Sequence, residues 1–141
     1  MSTSHPVLFV SIKPRFVEKI LAGEKSVELR RVRPSVAAPG TLVVFYASSP
    51  TCEVVGTGRV EAIEVDTPTA IWNRHQDAVG LPRSEYRSYF KGARDAVGIV
   101  LAEVEALPKS VPLADLRERI AGFEPPQSFR YIDAAQTAAV I

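Results

Sequence analysis

The chain has 141 residues, 46% hydrophobic and 23% charged, which suits one globular domain able to bury a core without staples. A formal net charge of +1 does not by itself mark a binder of nucleic acid. The lone cysteine, Cys52, excludes an intramolecular disulfide and a cysteine-based zinc cluster, and His5 and His75 carry no ligand spacing, so neither metal nor cofactor is expected.

Residues 1–6 lack a basic region followed by an apolar core, so no signal peptide is read there, only a flexible N-terminus. No apolar run approaches the ~20 residues that span a bilayer, and a cytoplasmic location is expected. Val7 to Ile12 is a short apolar run that predicts a buried strand. Pro14 then suits the first turn of a helix, where its missing N–H is not needed. Phe16, Val17, Ile20 and Leu21 give that helix one apolar face, and Gly23 is its expected C-terminal cap.

The next stretch, Gly-Glu-Lys-Ser-Val-Glu-Leu-Arg-Arg from Gly23 to Arg31, packs five ionisable side chains into nine residues. Its alternation predicts a strand with Ser26, Glu28 and Arg30 on one face and Lys25, Val27 and Leu29 on the other. Lys25 either snorkels to water from the apolar side or is held at the edge of a cleft. The plainer reading is an edge strand guarded by its charges.

Thr41 to Ala47 predicts a central strand, and Cys52 to Ile63 a strand bent or bulged at Gly56 and Gly58. Cys52 itself reads as a small buried hydrophobe. A helix over Pro68 to Asp77, capped by Thr67 or Asp66, carries Ile71 and Trp72. Another helix over Arg83 to Lys91 has a buried stripe of Tyr86, Tyr89 and Phe90. A row of Arg83, Arg87, Lys91 and Arg94 runs down its other face, which suits solvent or phosphate. Ala96 to Leu107 predicts the last long strand, followed by a helix over Pro112 to Ala121. The segment to Ile132 is stiffened by prolines and then extended, and residues 133–141 read as a loose tail. The whole is an α+β chain, a small mixed β-barrel with helices in its connections and a single domain over residues 7–132.

Charge is unevenly spread. Lys13 to Arg33 carries a net +4, Arg74 to Arg94 a net +3, and the remainder −6, so two basic segments are available to build one positive surface.

Ile20-Leu-Ala-Gly-Glu-Lys-Ser-Val-Glu-Leu-Arg30 resembles the signature of the ASCH domain, a branch of the PUA-like superfamily: an apolar helix end followed by G-x-K-x-x-E-x-R. Phe45 to Pro50, the Tyr86-x-x-Tyr89-Phe90-x-Gly92 pattern and Pro125 to Tyr131 are similar to later segments of its longer bacterial members, so the resemblance spans residues 7–132. It implies a PUA-like pseudobarrel with a cleft, and a role in binding RNA, bases or nucleosides.

An extruded base needs a flat apolar partner and edge contacts, and a phosphate needs cations. Tyr46 or Trp72 suits stacking, and Glu28, Ser48, Ser49, Gln127 and Ser128 suit edge contacts. Lys13, Lys25 and Arg30 suit phosphate or carbonyl oxygen. Tyr46 and Trp72 read more often as core residues, and Ser48, Ser49 and Gln127 as turn residues satisfying their own backbone. The favoured partner is thus RNA or a nucleotide-like ligand, with no membrane.

The resemblance also implies an enzymatic alternative, an amidohydrolase on 4-acylated cytidine or a ribonuclease. Lys25 matches the family lysine, but Glu28 stands where the amidohydrolases carry threonine, and their glutamate has no matching residue here. If the chain is an enzyme, Lys25 and Glu28 are the catalytic pair. A regulatory module that binds a protein partner is the third class.

Overall fold

The computed structural model describes residues 5–141, and most of the N-terminal segment expected to be flexible, residues 1–4, lies outside them. The elements run β1 (Val7–Ile12), α1 (Pro14–Leu21), β2 (Val27–Arg30), β3 (Leu42–Ala47), β4 (Glu53–Asp66), α2 (Pro68–His75), α3 (Arg83–Tyr89), β5 (Ala96–Pro112), α4 (Leu113–Arg119), β6 (Phe129–Ile132) and α5 (Ala134–Val140). One six-stranded mixed sheet, ordered β2-β5-β4-β3-β1-β6, curls into a half-barrel, the α+β PUA-like architecture expected.

The sheet is central because β1 and β3 are buried on both faces. They pair in parallel with Leu8 opposite Val43 and Val10 opposite Phe45. Since side chains alternate along a strand, this register sends Leu8, Val10, Ile12, Val43, Phe45 and Ala47 into one core, where Val17 and Ile20 of α1 cover them. Val7, Phe9, Val44 and Tyr46 go into a second core, closed by Leu116, Phe123 and Val140. A third cluster seats Ile71 of α2, Tyr86 of α3 and Phe90 just after it against Val27 and Leu29 of β2. Each fully buried side chain of this size contributes about 1.5–3 kcal/mol.

The glycines of β4 act as expected. Its pairing with β5 shifts register around Gly56 and again between Thr57 and Arg59. A Cβ on Gly56 would lie 2.7 Å from both the Glu105 carbonyl oxygen and Leu21 Cδ2, so only glycine lets the strand pass.

Three expectations change. β5 does not stop at Leu107 but continues to Pro112, because Val111 and Pro112 pair with Val54 and Glu53 beyond the bulges of β4. Tyr89 does not join the buried stripe of α3. The helix ends there, and the ring remains 39% exposed beside the buried Phe90. The last nine residues are not loose: Asp133 accepts from Gln136 N while the Gln136 side chain accepts from Asp133 N, a capping box that starts α5, and Val140 is fully buried. Asp133→Ala is expected to cost about 1 kcal/mol in urea unfolding, and an unchanged midpoint would show that α5 adds nothing to the fold.

Candidate functional site

Residues of all three clusters border a cavity of about 630 Å³. Its floor is the end of β1 and β3, where Ser11, Ile12 and Tyr46 lie side by side. Lys13, Phe16, Leu81 and Tyr89 form one wall, and Lys25 with Glu28, Leu29 and Arg30 of β2 another. The turn residues Ser48, Ser49 and Cys52, together with Leu113, Arg117 and the segment Glu124–Ser128, complete it. The size falls within the range of small-molecule and cofactor sites. Four cations (Lys13, Lys25, Arg30, Arg117) face two carboxylates (Glu28, Glu124), so the walls carry an excess of two positive charges.

The charged stretch does not behave as a simple alternating strand. Gly23, at φ +79°, ends α1, and β2 begins only at Val27. Lys25 therefore lies in the bend before the strand, held there as Ser26 N and Val27 N both donate to the Ala78 carbonyl. This puts Lys25 and Glu28 on the same side, where the sequence alternation had separated them: Lys25 Nζ sits 3.6 Å from Glu28 Oε1. Lys25 does not snorkel; it is 2% exposed, and Nζ donates to the Val79 carbonyl at 2.5 Å. Gly80, at φ +71°, passes directly beneath its stem, and a Cβ there would lie 2.9 Å from Lys25 Cβ. Phe16 lies near the ammonium, its ring centroid 5.4 Å from Nζ.

Glu28 is a buried hinge between two cations. Oε1 accepts from Leu29 N at 3.0 Å, and Oε2 lies 3.4 Å from Arg30 Nη2. Arg30 in turn donates to the Ser11 carbonyl at 2.9 Å and to the Leu29 carbonyl at 3.2 Å. Glu28 Oε2 and Arg30 Nε are buried with no hydrogen-bond partner among the described residues, so this cluster is not internally saturated. Burial pulls the Lys25 pKa down from 10.5, an effect that Glu28 partly opposes and Arg30 reinforces. The Tyr46 hydroxyl, buried beside Cys52, is pushed well above its ordinary range.

Nine of the ten ligand-site candidates thus line one cavity: Lys13, Lys25, Glu28, Arg30, Tyr46, Ser48, Ser49, Gln127 and Ser128. Trp72 does not. It packs on Tyr86 with ring centroids 4.9 Å apart, in a separate groove with Arg83 and Arg87. The basic row Arg83, Arg87, Lys91 and Arg94 is exposed and lies outside the cavity wall. Cys52 is half-buried, packed against the second core and also lining the cavity. Sequence reasoning missed Ser11, Phe16, Tyr89 and Arg117. Only Ser11 had a local signal, as the one polar residue of an otherwise apolar strand; its hydroxyl donates to the Pro126 carbonyl at 2.6 Å and ties β1 to the closing segment. Among the described residues no three His, Cys, Asp or Glu side chains cluster as metal ligands, and no helix is long and apolar enough to cross a membrane.

The family model of a domain of unknown function, DUF365, matches residues 5–121. An ASCH domain-containing ribonuclease of Zymomonas mobilis is 30% identical over 132 residues, covering 94% of this chain and 88% of that protein. The chain belongs to the ASCH domain family and carries the DUF365 domain. The crystal structure of ASCH from Zymomonas mobilis superposes with a TM-score of 0.88 at 30% identity, covering 94% of this chain and 91% of that one. A Pseudomonas putida protein, 20% identical with a TM-score of 0.62 over 95% of this chain, shows the same fold. Within the ASCH fold, the G-x-K-x-x-E-x-R stretch here forms an ion-paired cavity wall and not only a guarded edge, although β2 is indeed the last strand of the sheet.

Proposed function

We propose that this ASCH domain recognises single-stranded RNA by seating a nucleotide in the cavity beside β2. The observation that carries this reading is the fixed row Lys25–Glu28–Arg30 on the wall of a cavity with excess positive charge. Glu28 holds the two cations in place, so Lys25, Arg30 and the exposed Lys13 are organised toward phosphate or carbonyl oxygen before any ligand arrives. Tyr46, packed into the second core and 2% exposed, only touches the cavity floor, while Ser48, Ser49, Gln127 and Ser128 offer hydroxyl and amide groups for base edges. Glu28 Oε2, buried without a hydrogen-bond partner among the described residues, adds an acceptor to these four residues.

A second reading, ribonuclease action at the same site, is favoured by the similarity to the Zymomonas mobilis ribonuclease and by the lowered pKa of Lys25. RNA cleavage through the 2′-hydroxyl needs a group to take that proton and cations to stabilise the phosphorane. Lys25 is the group nearest to the first role, and Arg30 and Lys13 to the second.

One experiment separates them. Wild type and Lys25→Ala are mixed with a fluorescein-labelled single-stranded octaribonucleotide, with and without EDTA, and followed by anisotropy and by denaturing gel. Recognition predicts binding that weakens about tenfold in the variant, with an affinity that falls as salt rises, the slope growing by about 0.7 for each phosphate neutralised. Shortened product from wild type alone selects the ribonuclease reading. Absence of both signals from folded wild-type protein rejects RNA as the partner.

A further inference from the structure

A groove of about 450 Å³ leads out of the cavity between α1 and α3 and shares Lys13, Phe16, Leu81 and Tyr89 with it. We propose that this groove is a second nucleotide subsite, which takes the neighbouring residue of the strand whose first base enters the cavity, with its base on Tyr89 and its phosphate at Lys13 and Arg15. The inference rests on the RNA reading above and adds a direction and a footprint to it.

Tyr89 is placed as a stacking platform. It is a large exposed aromatic, set at the point where cavity and groove join. Its ring packs edge-on against Phe90 with centroids 4.7 Å apart, and its hydroxyl points at the Leu29 carbonyl, 3.4 Å away. One side of the ring is therefore fixed by the protein while the rest faces solvent. Such a ring loses little freedom when a base stacks on it, and base–aromatic stacking is sequence-tolerant. The cations are also prearranged. Arg15 lies over the Phe16 ring at 4.2 Å and pairs with Glu85 at 2.9 Å, yet its side chain is still 54% exposed. Lys13 is exposed at the shared mouth. Ser84, Glu85 and Ser88 line the α3 side, so the groove holds two cations, Lys13 and Arg15, against the single carboxylate of Glu85. Positive groups at the mouth, an open aromatic ring and continuity with the cavity match a single strand; the duplex has no free base face to offer.

The test is the gain in affinity with strand length. Binding of the four nucleoside 5′-monophosphates and of a mixed-sequence single-stranded octaribonucleotide is measured by titration calorimetry for wild type, Tyr89→Ala, Tyr89→Phe and Ser88→Glu. In wild type the octamer should bind more tightly than any monophosphate. Tyr89→Ala should reduce that gain about tenfold, Tyr89→Phe should retain it, and Ser88→Glu, which adds a second carboxylate beside Glu85 without touching the core, should reduce it and leave the melting temperature near wild type. An undiminished gain in both Tyr89→Ala and Ser88→Glu overturns the subsite while leaving the cavity reading intact. If wild type binds neither monophosphate nor octamer, the cavity reading fails and the subsite with it.

Discussion

Glu28→Gln is expected to be among the most damaging single-atom changes in this protein. The substitution preserves shape but removes the one negative charge between the buried Lys25 at 3.6 Å and the partly buried Arg30 at 3.4 Å. Breaking a buried pair by neutralising one partner typically costs about 3–5 kcal/mol, because the remaining charge has lost its compensation. For a chain of this length, a loss at the lower end corresponds to a drop of about 10 °C in melting temperature. The same substitution carries a pH signature. Burial lowers the folded-state pKa of Lys25, so between that value and 10.5 the unfolded state binds the extra proton and stability rises with pH. Below the window both states are protonated and the penalty of burying the ammonium is present in full. Removing Glu28 lowers the folded pKa further, so the rise should begin at a lower pH in the variant. The comparison belongs below about pH 10, because Tyr86, pushed up to about 12 by burial, works in the opposite direction once unfolded tyrosines ionise. Melting curves from pH 6 to 10 for the two proteins decide the matter; equal midpoints throughout would mean that the ion pairs hold nothing.

The second large effect is expected at Gly80, which belongs to no regular element. Its φ of +71° is left-handed, and a Cβ would press on the Lys25 stem at 2.9 and 3.1 Å. Two lysines also grip this segment: Lys19 Nζ donates to the Gly80 carbonyl at 2.8 Å and Lys25 Nζ to that of Val79. Gly80→Ala thus adds about 1–2 kcal/mol of backbone strain and displaces the buried lysine from its carbonyl. A loss of about 2–3 kcal/mol in urea unfolding should accompany weaker RNA binding than a Gly92→Ala control shows; Gly92 shares a positive φ of 77° but has open space where the methyl would go. Equal effects at the two glycines would reduce Gly80 to an ordinary turn residue, with no hold on Lys25.

These predictions turn on contacts that no local pattern displays. The alternation of Lys25 to Arg30 indicated a strand and its charges a sheet edge, and β2 is the last strand of the sheet. It could not show that the strand starts only at Val27, since the bend is fixed by the Ala78 carbonyl, 48 residues past the end of β2. Trp72 and Tyr46 show the same limit from the other side. Both are aromatic residues in apolar surroundings, yet one packs against Tyr86 and the other reaches the cavity floor, and nothing within either segment separates the two cases.

By itself the sequence determined the order of strands and helices as far as β6 but not α5, the Gly23 and Thr67 caps, the glycine breaks, the burial of β1 and the family signature. All of these depend on neighbours within one or two turns of chain. The cavity is different in kind. Its walls come from β1, α1, β2, the turn after β3, α3 and the loop before it, α4 and the proline segment before β6, and the burial that lowers the Lys25 pKa arises only in the folded chain. Tyr89 became a surface platform for the same reason: α3 ends at that residue, and Phe90 takes the buried position beside it. Desolvation and charge pairing are properties of proximity in space, so the choice between a solvated charge run and an organised site belonged to the tertiary structure alone.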